Sequence, residues 1–474
     1  MSTSPQIHSI REATLTVSAS NSRENYADYR CDGTADEVEI QAAIDALPAT
    51  GGSVILLDGT FVLGAGITIA SYKSLIGTGF GTVLKIKDGL NVDIKVIDDA
   101  DNPSVNIIVA NMTLDGNKAN NAAGAQQGLA VKASYSIFYN IYAKNFRNMG
   151  IGSFSLSQYL IIENCYAQSC DRLGIHLDVL FNSVIRNCFA WDNGESGIES
   201  GPARDCRFEG IESWGNGFNG IAITGTQYRN VLINCNCHGN GYHGIINTDG
   251  DNLIIANCIC WDNSQDTANT YDGIFVDNQN YSLLIGNRCY DTVAIVADKT
   301  QRYGISILST STKCRVVDNM LEDNRTAAFF DSGICTVVMN NQGTEITDVR
   351  DLVKVTNTSG GALAAGDVVI LKAVAAGNEI TTTAVLGNDK VFGIAAEAIA
   401  DTASGLVLVR GKTTVLSASN DHGNIAIGDF LCTNDTAKEC CKAAAGDMAL
   451  AIALEACAAA NCVIDALIVS SLKI

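Results

Sequence analysis

The sequence predicts an all-β chain: a right-handed parallel β-helix with an N-terminal capping helix, followed by a small C-terminal β-barrel or sandwich. Three observations predict it. Columns of residues recur about every 23 positions from residue 150 onward, hydrophobicity alternates at strand period inside each repeat, and the period stops after Gly343 as Ala, Val, Thr and Gly take over the composition.

The repeat is carried by three columns. Gly-Ile pairs begin at Gly150, Gly174, Gly197, Gly220, Gly244, Gly273 and Gly304, at steps of 24, 23, 23, 24, 29 and 31. Asn-Cys pairs begin at Asn164, Asn187, Asn234 and Asn257, with Gly210-Ile211 filling the gap, and a third column holds Asn193, Asn216, Asn240 and Asn263. A leucine-rich horseshoe has a similar period, but the Leu scaffold is missing here and segments such as Val184 to Ala190 alternate as strands do. Asn and Gly fall where the chain must bend, because both reach left-handed backbone geometry. Stacked Asn side chains can also bond from coil to coil. At about 4.8 Å per coil, residues 55–345 would make roughly a dozen coils and a rod on the order of 55 Å long.

A solenoid needs covers for its ends. Asp32-Gly33-Thr34 reads as a turn and helix cap, Ala35 to Leu47 as a helix with Val38, Ala42 and Leu47 on its apolar face, and Val54 to Leu57 as the first strand after Gly51-Gly52. The stretches Asp32 to Asp36, Ile40 to Asp45 and Gly51 to Phe61 resemble the opening of the pectate-lyase-like β-helix superfamily, a fold widely used in phage tailspikes and polysaccharide-degrading enzymes. With the repeats, the resemblance covers residues 30 to about 345. It implies the fold and leaves function open, since the shared residues cap and turn the chain.

Beyond the repeat, short strands are expected over 351–356, 366–371, 390–395, 405–410 and 425–431. The order of phrases, from Gly366-Asp367-Val368-Val369 through Val391 to Ala395, Gly405 to Arg410, Ile427 to Leu431, Asp447 to Ala456 and finally Val463 to Ser471, resembles the small β domain of phage capsid-decorating proteins. That resemblance implies trimeric assembly on a capsid. The expected organisation is residues 1–54 as N-terminal strand and capping helix, 55–345 as β-helix and 346–474 as C-terminal β domain.

Composition narrows the partners. The 51 Asp and Glu outnumber the 31 Lys and Arg, giving a formal charge of −20 that repels phosphate backbones, so nucleic acid is not an expected partner. No apolar run reaches membrane-spanning length and the first 17 residues are too polar for a signal peptide, so release by lysis is expected. Most of the 17 cysteines follow the repeat and read as core packing; Cys235/Cys237 and Cys258/Cys260 alternate along strands and do not converge as a zinc site requires. No metal or cofactor is expected.

Three groups are candidates for function. Asn247-Thr248-Asp249-Gly250-Asp251 resembles the acidic signature of polygalacturonases, but the other motifs of those enzymes do not follow, so it reads as a polar turn. His176, Asp178, Glu195 and Glu199 are candidates for acid–base chemistry on a glycosidic bond, because the residue after each Gly-Ile points outward and His176 and Glu199 would be neighbours on adjacent coils. The competing reading is a polar solvent face, and no Arg or Lys base is expected beside them. Finally, the three tryptophans of the chain, Trp191, Trp214 and Trp261, share an outward column with His238, beside an enlarged loop from Ser264 to Asp272. Such a stripe marks a trimer interface or a glycan-binding surface.

Together these features point to a non-enzymatic virion-surface protein, a homotrimer, which decorates a capsid or serves as a spike or fibre, with capsid or tail proteins as partners and surface polysaccharide as a ligand. The second reading is a tailspike-type depolymerase, acting as a glycoside hydrolase or polysaccharide lyase. A cell-surface adhesive or structural β-helix is the third.

Overall fold

The computed structural model describes residues 13–343 except 24–25, 102 and 335, and residues 351–473 except 373–378, 383–387, 389–390, 428, 436, 445–446 and 460–461. It divides into two compact units, Met1–Phe275 with Asp291–Tyr303, and Val276–Tyr290 with Gly304–Ile474. The expected domain boundary at 345/346 lies outside the described residues.

In the first unit each coil lays down three short strands, as in Ile161–Glu163, Tyr166–Gln168 and Ile175–Phe181. The next coil repeats them in parallel register, Ile161 beside Val184, Tyr166 beside Phe189 and Ile175 beside Ile198. These are the first, second and third faces. Alternation buries Ile162, Ala167, Ile175 and Leu177 in the core and turns their neighbours outward. The first corner is made by Asn164, Asn187, Asn234 and Asn257 at φ 52–55°, with Gly210 at φ 59° taking that place in the coil between Asn187 and Asn234.

The second corner holds the asparagine ladder. Asn193 donates to Asn216, Asn216 to Asn240 and Asn240 to Asn263, each Nδ2 to Oδ1 at 3.0 Å, and Asn263 donates to Gln301 at 3.0 Å. The ladder and the backbone of the next coil together call for glycine at four positions of the Gly-Ile column, where a Cβ on Gly174, Gly220 or Gly244 would also face a carbonyl oxygen at 2.5–2.7 Å and one on Gly197 the Ser213 hydroxyl. A Cβ on Gly174, Gly197, Gly220 or Gly244 would meet the Nδ2 of the ladder asparagine in the following coil at 2.7–2.9 Å. Those glycines are required by space, not by backbone geometry.

The N-terminal cover differs from expectation in detail. The helix runs Glu37–Ala46 and buries Ile40, Ala43 and Ile44, with Leu47 just beyond its end. Val38 is 60% exposed and Ala42 is exposed, so the apolar face lies one position round from the expected one. Asp32 forms the turn by accepting the Thr34 N–H, but no side chain caps the helix. Instead Asp36 accepts the N–H groups of Gly33 and Val62, tying the helix entry to the coils. The first coil strand is Gly52–Leu56, and Thr14–Ser18 pairs with it in parallel.

In the second unit, strands Leu283–Ile285, Arg315–Val317 and Val337–Met339 pair with one another in parallel. A second ladder, Asn287 to Asn319 to Asn341, has bonds of 3.0 and 2.8 Å. Val337–Met339 then pairs antiparallel with Asp351–Asn357, Val337 opposite Val353, so the edge that a parallel stack leaves open is taken by the first strand of the C-terminal domain.

That domain is mostly antiparallel and built around the long strand Ser404–Ala418, which pairs with Asp351–Asn357 and Val391–Ala395 through its first part and with Cys462–Lys473 through its second. Val368–Leu371, Phe430–Thr433 and Met448–Ala453 complete most of the expected order; the strand expected over 425–431 begins at Phe430, and Ile425 makes only an isolated bridge to Cys457. Cys457 and Cys462 are disulfide-bonded, while the coil cysteines are free and buried, as the core-packing reading of most cysteines expects. No helix among the described residues is long and apolar enough to cross a membrane.

Candidate functional site

The third face carries the first candidate group. His176 sits in register between Gly152 and Glu199, so the two candidate side chains are neighbours on adjacent coils. Burial lowers the His176 pKa, which leaves a neutral imidazole, and its Nδ1 is shielded from solvent without a hydrogen bond. Glu195 belongs to the corner and binds Arg172 Nε at 2.9 Å. The expectation that no cation lies nearby is therefore corrected: Arg172, one coil before Glu195, brings a guanidinium within electrostatic reach of His176.

Asp178 does something else. The strand Ile151–Gln158 bulges between Ser153 and Leu156, and Ser155 sits at φ 56°. Asp178 Oδ2 accepts the Ser155 N–H at 3.0 Å and so holds the bulge. A bulge re-aims side chains, and here it brings Phe154 across the face, 5.8 Å from the His176 ring. Gly152 makes room, since a Cβ there would meet the Phe154 ring at 3.1 Å. Nothing in the strand pattern separates Phe154 from an ordinary outward residue, so sequence reasoning missed it.

The tryptophan column lies on the second face, across the Asn193 corner from His176. Trp191 pairs in register with Trp214, Trp214 with His238 and His238 with Trp261. The rings are stacked, with centroids 5.1, 5.9 and 4.1 Å apart and planes within 12° of parallel. Tyr142 stacks on Trp191 at 6.0 Å. Each ring is half-buried, and Trp214 and His238 have both faces covered, so the stripe presents edges rather than faces to solvent.

A second stack was not read from the sequence. At the corner leading into the third face, Phe218, Tyr242 and Tyr271 stack at 4.7 and 4.2 Å. Beneath it His243 Nδ1 accepts the Asp272 N–H at 3.0 Å, and the fully buried Asp272 carboxylate holds Arg302 through two bonds of 2.8 and 2.9 Å. Burial drives the His243 pKa down to about 4. The enlarged loop is tied internally, with Ser264 Oγ accepting the N–H groups of Thr270 and Tyr271. The polygalacturonase-like stretch lies in the strand Ile245–Asp251 rather than a turn, and Asn247 is buried and donates to Gln227 at 2.9 Å.

These coils define a right-handed parallel β-helix protein, and residues 182–348 match the family described as right handed beta helix region. Residues 350–468 match the phage cement protein family, so the C-terminal β domain is similar to phage cement proteins. Mannuronan C5-epimerases AlgE2 and AlgE5 of Azotobacter vinelandii are each 28% identical over 263 residues, which is 53% of this chain and 23% of theirs. The chain thus spans less than a quarter of the length of these relatives. Among solved structures, the AlgE6 A-module of Azotobacter vinelandii aligns with a TM-score of 0.55 at 19% identity, over 66% of this chain and 96% of that one. PfbA, a surface adhesin of Streptococcus pneumoniae, aligns at 0.53 and 14%, over 66% and 88%. Both likenesses are of fold.

Proposed function

We propose that the chain is a virion-surface protein, a homotrimer, whose cement domain attaches it to capsid or tail proteins of a phage particle and whose β-helix carries a recognition surface. The match of residues 350–468 to phage cement proteins carries this reading. The strongly acidic composition supports it, since such a surface has no affinity for packaged nucleic acid. Purified particles from the encoding phage, labelled with antibody against the β-helix, should bear the chain on head or tail in electron micrographs. Particles that lack it would overturn the reading.

A second reading is glycan recognition on the third face, extending to cleavage of a tailspike type. It is favoured by the outward His176 and Glu199 on adjacent coils and by the partial likeness to enzymes that act on mannuronan. A neutral imidazole beside a carboxylate suits proton transfer at a glycosidic bond. Release of reducing ends from host-surface polysaccharide, lost in His176→Ala, tests the cleaving form.

A further inference from the structure

We propose that Cys432 and Cys441 are a dithiol that closes to a disulfide when the chain meets an oxidant, giving the C-terminal β domain a second cross-link beside Cys457–Cys462.

Both thiols lie on one hairpin. Phe430–Thr433 pairs antiparallel with Cys440–Lys442, and Cys432 stands directly opposite Cys441. Asn434 N–H donates to Glu439 O at 3.1 Å and Ala443 N–H to Phe430 O at 2.9 Å, which makes Cys432 and Cys441, midway between them, a hydrogen-bonded pair of the ladder. Such a pair holds its Cα atoms about 5.5 Å apart, within the span that a disulfide bridges. The two sulfurs are already in contact at 3.8 Å. Side-chain rotation, with no change of register, closes the rest.

The two faces of the hairpin divide its cysteines. Leu431 and Cys440 belong to the domain core. Alternation turns Cys432 and Cys441 to the other face, where both are fully buried. A turn lies against them there: Asp447 N–H donates to Ala444 O at 3.1 Å, Asp447 Oδ2 accepts the Ala444 N–H at 2.7 Å, and the same oxygen lies 3.8 Å from Cys432 Sγ. Asp447 is partly exposed, so it connects the buried pair to solvent. Opening a turn held by two hydrogen bonds is a small local event beside unfolding. Cys237 and Cys260, by contrast, are neighbours on parallel coils inside the closed core of the solenoid.

The chemistry needs only a small-molecule disulfide. Cys432 gives its proton to Asp447 and attacks one sulfur of the oxidant, whose other sulfur leaves as a thiolate. Cys441 then loses its proton and attacks the Cys432 sulfur of the mixed disulfide, expelling the second thiolate. Two electrons pass to the oxidant, and the two cysteine protons end on the expelled thiolates. The hydrogen bond with Cys432 and burial hold the Cys441 pKa up, and the first of these is relieved once Cys432 has reacted. On a phage particle the cross-link forms after release, when the domain leaves a reducing cell for an oxidising medium. That timing rests on the virion-surface reading; the pairing does not.

Peptide mapping of the full chain tests the pairing, with the protein first reduced, then held folded with oxidised glutathione and alkylated. The expected result is a peptide pair joined through Cys432 and Cys441, the loss of both as alkylatable thiols, and Cys237 and Cys260 recovered reduced. In Cys432→Ala, Cys441 should remain alkylatable on unfolding. Cys432 and Cys441 recovered as free thiols, whether or not Cys457–Cys462 has closed, overturn the proposal, as does either one joined to Cys440 or left carrying glutathione. Thiols trapped in intact producing cells and again after lysis test the timing. A pair free in cells and joined afterwards is expected; a pair already joined in cells overturns the timing and leaves the pairing standing.

Discussion

Trp191 lies flat on Trp214, ring centroids 5.1 Å apart and planes 5° from parallel, and the same geometry continues through His238 to Trp261. Because the rings cover one another's faces, a sugar cannot stack on the middle of the stripe. What remains is a ridge of ring edges, suited to contact with a second copy of the chain.

Replacing Trp214 with Ala should remove the middle rung and destabilise the coils by about 2–3 kcal/mol, from lost stacking and half-buried area. If the ridge is the trimer contact, sedimentation of the full-length variant should also reveal dissociation at concentrations where the parent is trimeric. A parent chain that sediments as a monomer rules the contact out.

The asparagine ladder should be less forgiving. Asn216 Nδ2 lies within 3.1 Å of Ala190 O, Ser213 Oγ and Asn240 Oδ1, sharing its two hydrogens among them, and Asn216 Oδ1 accepts both the N–H and the side-chain amide of Asn193. Asn216→Ala strands those buried groups and should cost on the order of 3 kcal/mol in urea unfolding, while Asn216→Asp should also fail because it loses the donor. An Ala variant as stable as the parent would mean the ladder is ornamental.

Cys165, Cys188, Cys235 and Cys258 are each at most 1% exposed, so that even Cys235, whose pKa the hydrogen bond with Cys258 lowers, is out of reach of reagents in solution. Native protein should therefore resist thiol reagents at these positions and react only on unfolding. Peptide mapping after brief labelling in buffer checks this, and modification of any of the four would contradict their inward placement.

His243 sets a pH dependence. Burial lowers its pKa from 6.5 to about 4, so the unfolded chain takes up a proton at a higher pH than the folded one. Its contribution is present above pH 6.5 and is lost as pH falls towards 4, a total on the order of 3 kcal/mol. The stability difference between the parent and His243→Gln should change across that window and stay flat above it. A difference that is flat throughout would place the imidazole in contact with water.

Asp178 can be separated from acid–base chemistry by hydrogen exchange. Asp178→Ala should speed exchange of the Ser155 amide by at least tenfold, because the carboxylate is what holds it. Unchanged exchange would show that the bulge stands without it.

The coil register was legible because a parallel stack copies sequence columns directly into space: the spacing of Trp191, Trp214, His238 and Trp261 is their pairing. The asparagine corners were legible for the same reason. Local exceptions were not. The Phe154 bulge depends on a carboxylate one coil away, the Gly-Ile glycines answer to a side chain in the next coil, and Arg302 reaches Asp272 from 30 residues further on. Each is a contact between different coils that no repeating column of residue types announces. The helix face was misjudged because Val38 satisfies helical spacing yet stands on the side that the coils do not cover.

Burying the second-corner asparagines has a consequence for chemical ageing. Asn193, Asn216 and Asn240 each precede glycine, the pairing most prone to deamidation, which proceeds when the following backbone nitrogen attacks the side-chain carbonyl. Here that nitrogen is engaged in every case, Gly194 with Cys170 O, Gly217 with Asn193 O and Gly241 with Asn216 O, each at 2.8 Å, while the side-chain oxygens are held by the preceding rung. The folded chain should therefore keep these three amides intact through months in warm buffer, and conversion to aspartate would appear only in molecules that have begun to uncoil.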